Sequence, residues 1–239
     1  MRTAIVSDIH GNLTAFEAVL ADLRETAPDL ILHGGDLGDN GSRPAEVVDR
    51  IRDLGWQGVV GNTDEMLFDP DSLTRFASGL PQLKSLFDTI GEMAAAARET
   101  MGEDRLAWLR ALPRTRVHEH FALVHASPDT AWRAPMDNAA NADLESAYGP
   151  LGRPVVVYGH IHRPYIRSIG GVTVANSGSV GLPHDGDRRA GYLLLDDSRP
   201  SIQRVEYDVD RELKALAACG RPHADWIARI LQSASPLMP

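Results

Sequence analysis

Residues 155–162 read Val-Val-Val-Tyr-Gly-His-Ile-His and join an apolar run to a pair of histidines. Three consecutive valines predict a strand that is buried on both faces, as in a parallel sheet. Gly159 permits the sharp turn that ends this strand. His160 and His162 follow at once, so two imidazoles project from backbone beside a rigid sheet. Imidazole is the commonest metal ligand in proteins, although an isolated His-x-His pair is also typical of an exposed turn.

Four other predicted strands end in polar side chains of the same kind. These strands cover residues 3–7, 29–33, 57–60 and 121–124. Ligands of α/β sheets bind beyond the carboxyl ends of the strands, so we expect the side chains found there to lie close together. Including the pair after residues 155–157, they are Asp8, His10, Asp36, Asn62, His125, His160 and His162.

Helical patterns separate the strands of the first half of the chain. Apolar residues recur at helical spacing over residues 13–26 and 44–54, and residues 66–112 carry no strand pattern. Strands that alternate with helices predict parallel strands joined by right-handed crossovers.

Hairpins are predicted to dominate the second half. Gly170-Gly171 separates strands at 165–169 and 172–176, and strands at 191–196 and 202–207 precede two terminal helices. We therefore predict an α/β fold with two facing mixed β-sheets and helices outside them, forming one domain over residues 1–239.

Composition excludes several classes of protein. With 239 residues, 43% of them hydrophobic, the chain can bury a full core, and its single cysteine rules out disulfides and thiolate metal sites. No stretch approaches a membrane span and Asp8 interrupts any signal-peptide core, so we expect a soluble cytoplasmic protein without a membrane partner. The formal net charge of −9 disfavours duplex nucleic acid as a partner. The oligomeric state is left open.

Seven nitrogen and oxygen donors are too many for one metal ion. A carboxylate can bridge two ions, and Asp36 follows the diglycine Gly34-Gly35, which lets the backbone come close. The set therefore predicts a two-metal site, with the ions about 3.5–4 Å apart as is usual in such sites. Manganese is the expected metal, and the mixed imidazole and oxygen donors also suit iron or zinc.

In order along the chain, these motifs resemble the signature of the calcineurin-like metallophosphoesterases. The matching motifs are Asp8-x-His10, Gly35-Asp36, Gly61-Asn62, His125 and Gly159-His160-x-His162.

The resemblance implies a four-layer αββα sandwich and a bridging water or hydroxide that attacks phosphorus. It also implies that one metal is held by Asp8, His10, Asp36 and His162, and the other by Asp36, Asn62, His125 and His160. Asp36 and Asn62 are the ligands that we assign to catalysis.

The sequence departs from the family pattern at one position. The usual motif is Gly-Asn-His followed by Asp or Glu, and its histidine supports the leaving group, whereas here the residues are Gly61-Asn62-Thr63-Asp64. Some bacterial and archaeal phosphodiesterase-like members also lack this histidine. The change therefore favours phosphodiester or phosphoanhydride hydrolysis of a small substrate over phosphomonoester chemistry. A non-catalytic binding scaffold and a serine/threonine protein phosphatase are the alternatives.

Several residues are candidates for contacts with the substrate phosphate. Residues 176–184 resemble a loop of the bacterial phosphodiesterase-like branch that returns towards the metals. This resemblance suggests His184, Arg188 and Arg189 as substrate-binding residues. Asn12, through its amide, and Thr63, through its hydroxyl, are further candidates. Trp132 is a candidate for a lid. The identity of the substrate is not readable from the sequence.

Overall fold

The computed structural model of the chain covers residues 1–239 and contains ten strands in two five-stranded sheets. In chain order the strands are β1 (Arg2–Val6), β2 (Leu30–His33), β3 (Gln57–Gly58), β4 (Thr115–Val117), β5 (Phe121–Val124), β6 (Val155–Tyr158), β7 (Tyr165–Ile169), β8 (Val172–Asn176), β9 (Ala190–Asp196) and β10 (Arg199–Val205). The strand orders are β10-β9-β1-β2-β3 and β4-β5-β6-β8-β7.

Nine α-helices connect and cover the sheets. They are α1 (Leu13–Thr26), α2 (Pro44–Asp53), α3 (Asn62–Phe68), α4 (Asp71–Ala77), α5 (Lys84–Met101), α6 (Glu103–Arg110), α7 (Asn141–Tyr148), α8 (Val209–Ala218) and α9 (Ala224–Ser233). None of these helices combines the length and apolar character that crossing a lipid bilayer requires.

Both sheets are mixed, and both are parallel near the centre. β1, β2 and β3 run parallel, while β9 pairs antiparallel with both β1 and β10. In the second sheet β5, β6 and β8 run parallel, and β4 and β7 add antiparallel edges. The prediction of mixed sheets is therefore confirmed, and the hairpins predicted for the second half are present as β7–β8 and β9–β10.

Alternating side chains create the layers. Successive residues of a strand point to opposite faces, so Ile5 of β1 and Val157 of β6 meet in a core between the two sheets. Ala4 and Val6 face the other way, where they pack beneath α1, α2, α5 and α6. On the far side, Val156 packs beneath α7. The result is the predicted sandwich of two sheets flanked by helices.

The largest differences from the predicted strands concern β3, β4 and β10. β3 ends at Gly58 because the amide of Val60 donates to the carbonyl of Pro113 at 2.9 Å, outside the sheet. β4 was not predicted, since three residues on a sheet edge carry too short a pattern. β10 begins at Arg199 and includes Pro200, which an edge strand tolerates because no partner needs its missing N–H.

Candidate metal centre

The loops that follow β1, β2, β5 and β6 are joined by backbone hydrogen bonds. The amide of Asp8 donates to the carbonyl of Gly35 at 3.0 Å, and that of His10 donates to the carbonyl of Asp36 at 3.0 Å. Within the second sheet, the amide of Gly159 donates to the carbonyl of His125 at 2.9 Å. These bonds tie the loops within each sheet together, and all seven candidate ligands lie at this edge of the sandwich.

Four buried residues form the first half of the cluster. Asp8, His10, Asp36 and His162 each offer one nitrogen or oxygen atom, and these atoms all lie within 4.8 Å of one another. Nε2 of His162 is 3.2 Å from Oδ1 of Asp8, and Nε2 of His10 is 3.7 Å from Oδ2 of Asp36. The two imidazole Nε2 atoms are 3.1 Å apart. Nitrogens this close require a proton or a cation between them, which favours cation binding here.

Asp36 also faces the second half of the cluster. Its Oδ2 atom is 3.4 Å from Nε2 of His125. Oδ1 of Asn62 is 3.0 Å from that same nitrogen and 2.9 Å from Nδ1 of His160. A single carboxylate thus lies between two groups of donors, which is the position that a bridging ligand requires.

The outer nitrogen of three histidines is fixed by a second partner. Nδ1 of His125 donates to the carbonyl of Gly34 at 2.8 Å, and Nδ1 of His162 donates to the carbonyl of Leu182 at 2.6 Å. The side-chain amide of Asn40 lies 3.0 Å from Nδ1 of His10. All three contacts set the ring orientation, and in His125 and His162 the donating Nδ1 leaves Nε2 facing the site, as is usual for metal-binding histidines.

The backbone of the site is unusual in its torsion angles. Asp8, His10, Asp36, His160 and His162 have φ values of 55°, 50°, 55°, 66° and 56°. Left-handed backbone is uncommon for residues other than glycine, although aspartate and histidine tolerate it better than most. Five of the seven candidate ligands therefore sit in strained conformations, which concentrate at functional sites.

Asp64 holds the Asp36 loop in place. Its fully buried carboxylate accepts hydrogen bonds from the amides of Asp36 and Leu37, each at 2.8 Å, and of Gly61 at 3.1 Å. Asp64 therefore does more than cap α3, the role that it shares with many residues at this helical position. A Cβ atom at Gly61 would overlap the Asp36 carboxylate, so a glycine is required there.

The charged groups of the cluster shift one another's pKa values. Burial opposes ionisation of Asp36 and of His125, but their mutual attraction prevails, lowering the pKa of Asp36 and raising the pKa of His125 to about 10. Burial and the neighbouring positive charge of His162 lower the pKa of His10 to about 4. Burial and His125 likewise lower the pKa of His160 to about 4. His10 and His160 are therefore neutral near pH 7, the state in which imidazole binds a metal.

The donor set fits divalent cations. It combines two buried carboxylates, one amide oxygen and four imidazoles, and these donor types suit manganese, iron or zinc. No lysine or arginine lines the cavity over the cluster, so no side-chain ammonium or guanidinium there takes the place of a cation.

Three predicted substrate-binding residues lie away from this cavity. The Asn12 side chain is 1% exposed, caps α1 by accepting from the amide of Ala15 at 2.9 Å, and donates to the carbonyl of Gly181 at 3.1 Å. Both N–H groups of its amide face protein partners, the carbonyl of Gly181 and the hydroxyl of Tyr207, and a substrate-binding role for Asn12 stays a prediction. Arg188 and Arg189 are exposed in a separate groove beside Asp187, and their substrate-binding role stays a prediction.

The other two predicted substrate-binding residues line the cavity. Thr63 is buried, its amide donates to Oδ1 of Asp36 at 2.9 Å, and its hydroxyl has no hydrogen-bond partner. The ring of His184 stacks on that of His162 with centroids 4.4 Å apart, and its Nε2 is also without a partner. Burial, followed by the charges of His162 and His10, lowers the pKa of His184 to about 2.

Sequence reasoning missed two groups of residues. Asn40 and the buried Asp39 line the cavity from the loop after β2, but their types are equally typical of turns. A second group consists of apolar side chains from α3, α4, α5 and α9. Trp132, the candidate lid residue, lines the same cavity, and its indole N–H donates to Oε2 of Glu65 at 2.9 Å.

Comparison with known proteins gives consistent results. The profile of the calcineurin-like phosphoesterase superfamily domain matches residues 1–199. The uncharacterised protein MJ0912 of Methanocaldococcus jannaschii is 28% identical over 253 residues, which cover 95% of this chain and 96% of that protein. A metallophosphoesterase from Sphaerobacter thermophilus is 26% identical, with a TM-score of 0.80 over 98% of this chain and 99% of the other.

A further solved structure shares the fold. The hypothetical protein PH1004 of Pyrococcus horikoshii OT3 has a TM-score of 0.83 at 19% identity, covering 99% of both chains. At this identity the likeness concerns the fold alone. The profile match, by contrast, spans most of the chain and all seven donor residues of the cluster. The chain therefore belongs to the calcineurin-like phosphoesterase superfamily.

Proposed function

We propose that the protein hydrolyses phosphoester bonds of a small substrate with two bound divalent cations, and that a phosphodiester is its preferred substrate. A phosphoanhydride is the related alternative. The single observation that carries the proposal is the position of Asp36, between Nε2 of His10 at 3.7 Å and Nε2 of His125 at 3.4 Å. One carboxylate between two donor groups is the arrangement of a two-cation phosphoesterase site.

The donors divide between two cations as follows. Asp8, His10 and His162 would hold one cation, Asn62, His125 and His160 the other, and Asp36 would contact both. Bound in this way, the cations would supply an activated water and the positive charge that stabilises the phosphoryl oxygens. The chain's own part is to fix these donors and to keep other cationic side chains out of the cavity.

Hydrolysis places the hydroxyl of water on phosphorus, breaks one P–O ester bond and leaves a proton for the departing oxygen. Neither of the two predicted substrate-binding residues in the cavity is an efficient acid for that proton. Thr63 is too weakly acidic, and His184, whose pKa is lowered to about 2, is neutral near pH 7. Leaving groups that depart as stable anions should therefore react fastest, which favours aryl diesters and phosphoanhydrides over simple alkyl monoesters.

The alternatives receive less support. A scaffold without turnover has no need to keep seven donors in contact. The cavity measures about 340 Å³, a size that suits a small molecule and not a loop of a folded phosphoprotein. This argues against a serine/threonine protein phosphatase.

The test measures metal content and turnover together. Protein reconstituted with Mn²⁺ should bind two equivalents by metal analysis and release p-nitrophenolate faster from bis(p-nitrophenyl) phosphate than from p-nitrophenyl phosphate. Asp36→Asn should reduce kcat/KM by at least about 10³-fold, because several kcal/mol of barrier depend on this group. His120→Ala, at an exposed site away from the cavity, should match wild type. One metal equivalent, or equal losses in both variants, would contradict the proposal.

A further inference from the structure

An apolar chamber rises directly above the metal centre. The cavity that exposes His10, Asp36, Asn62, His160 and His162 on its floor continues between two sets of helices. α3, α4 and α5 form one wall, and α9 with the C-terminal tail forms the other. The apolar residues that line it are Met66, Leu73, Phe76, Leu86, Phe87, Ile90, Trp132, Leu182, Trp226, Ile227, Ile230 and Leu237.

Aromatic rings on one wall of the chamber pack against each other yet stay partly exposed. Phe76 lies 5.0 Å from Trp132 and 5.8 Å from Phe87, measured between ring centroids. All three are half-buried, as are Leu86 and Ile90. Apolar side chains that face a cavity instead of the core leave hydrophobic area that a ligand can cover.

The tail is fixed as part of the opposite wall. The indole N–H of Trp226 in α9 donates to the carbonyl of Leu237 at 3.1 Å. Leu237 thereby lines the chamber instead of extending into solvent. The C-terminal tail is therefore part of the chamber wall and does not fill the chamber.

The floor of the cavity and the chamber above it differ in polarity. The polar lining residues are the five candidate metal ligands of the floor together with Asp39, Asn40, Thr63 and His184, and no lysine or arginine is present. A second phosphate or a nucleotide polyphosphate would find no cationic side chain on the walls. The shape therefore suits a ligand with one phosphoryl group at the floor and an apolar group above it.

We infer that the substrate is a phosphodiester in which one of the two alcohols is apolar; its hydrocarbon group occupies the chamber while the phosphoryl group lies at the metal centre. The inference rests on the proposed function, because it assigns the floor to the phosphoryl group. It commits to a hydrocarbon group that is part of the substrate. A second copy of the chain inserted into the chamber would be a different occupant, which the experiment distinguishes.

The experiment measures binding of n-alkylphosphonates, from methyl to octyl, to the Mn²⁺-loaded full-length protein by calorimetry. Their P–C bond is not hydrolysed, so binding is measured independently of turnover. Each added methylene should lower Kd by about fourfold until the chamber is full, since one buried methylene is worth about 0.8 kcal/mol.

Two wall variants and one control complete the design. Leu86→Asn and Phe87→Asn should weaken octylphosphonate binding at least about fivefold and leave methylphosphonate binding unchanged. Both residues are half-buried, which limits the structural damage, and circular dichroism checks folding. Leu54→Asn alters an exposed leucine outside the chamber, 38% exposed, and should behave as wild type.

The outcomes separate the two proposals. A Kd that does not change with the length of the alkyl chain overturns the inference that the substrate carries an apolar group. It does so even if Mn²⁺-dependent release of p-nitrophenolate from methyl p-nitrophenyl phosphate is rapid. Chain-length dependence without any such hydrolysis overturns the proposed function and keeps the ligand class. A flat series together with a dimer that Leu86→Asn dissociates, seen by light scattering, would show that a second copy covers the chamber.

Discussion

Replacing Asp64 by asparagine tests whether a buried carboxylate outside the donor set holds the metal centre together. In the structure Oδ2 of Asp64 accepts from the amides of Asp36 and Gly61, and Oδ1 accepts from the amide of Leu37. Asparagine has one oxygen, and its amide nitrogen would face a backbone N–H. At least one buried amide would lose its acceptor, whichever way the side chain turned.

The expected magnitude follows from that count. A buried amide left without a partner costs about 1–3 kcal/mol, and the remaining bonds weaken because the acceptor is no longer charged. Together these effects predict a loss of about 2–4 kcal/mol in the free energy of unfolding. Because Asp36 would be displaced as well, metal affinity should fall about 10–100-fold, as is typical when a residue supporting a metal ligand is changed.

Two measurements check the prediction. Urea denaturation of the metal-free protein should show a midpoint lowered by about 1 M, given a slope near 3 kcal/mol/M. Calorimetry should show weaker binding of Mn²⁺. Asp71→Asn is the matched control, because this aspartate begins α4, is exposed and accepts none of these bonds. If the two variants have equal midpoints and bind Mn²⁺ equally well, Asp64 does not position Asp36.

Three other predictions concern the same edge of the sandwich. Asn40→Ala should weaken Mn²⁺ binding about tenfold by freeing the ring of His10, and unchanged affinity by calorimetry would contradict that role. In a leaving-group series, Thr63→His should speed hydrolysis of esters with poor leaving groups more than hydrolysis of p-nitrophenyl esters. His184→Ala should leave the pH profile of activity unchanged, because His184 does not titrate near neutrality. The raised pKa of His125, about 10 without metal, means that a cation must displace a proton there; Mn²⁺ affinity should therefore fall as pH falls from 9 to 6, by up to about tenfold per pH unit, and calorimetry should detect proton release.

The sequence predicts the site best where it predicts strands best. Val155, Val156 and Val157 are fully apolar and occupy adjacent positions of β6, so the end of that strand could be located to within a residue. The same holds for β5. Parallel strands then bring their carboxyl ends to one edge, and no further information is needed to place the polar residues there.

What escaped prediction has a physical reason in each case. Asn12 follows His10 closely, but its side chain turns back to cap α1, and an amide can serve as a cap as readily as it can bind phosphate. Arg188 lies only four residues after His184, yet the loop carries it to another face. The chamber could not be predicted from the sequence, because an apolar residue at helical spacing gives the same pattern whether it faces a core or a cavity. Phe76 and Phe87 belong to that second kind.

Strained backbone at the metal centre has to be offset by stabilising contacts elsewhere in the fold. Five candidate ligands with positive φ cost about 1 kcal/mol or more each, so the edge of the sandwich stores about 5 kcal/mol, comparable with the net stability of many domains. The negative charge of Asp36 also opposes ionisation of Asp8, and both carboxylates raise the pKa of His125. Hydrogen bonds between the loops offset part of the strain. The rest must come from the core between the sheets, where Ile5 and Val157 are fully buried, and from any cation that neutralises the two carboxylates. Metal binding and folding of this edge are therefore coupled: the cation relieves the charge that the loops are built to hold in place.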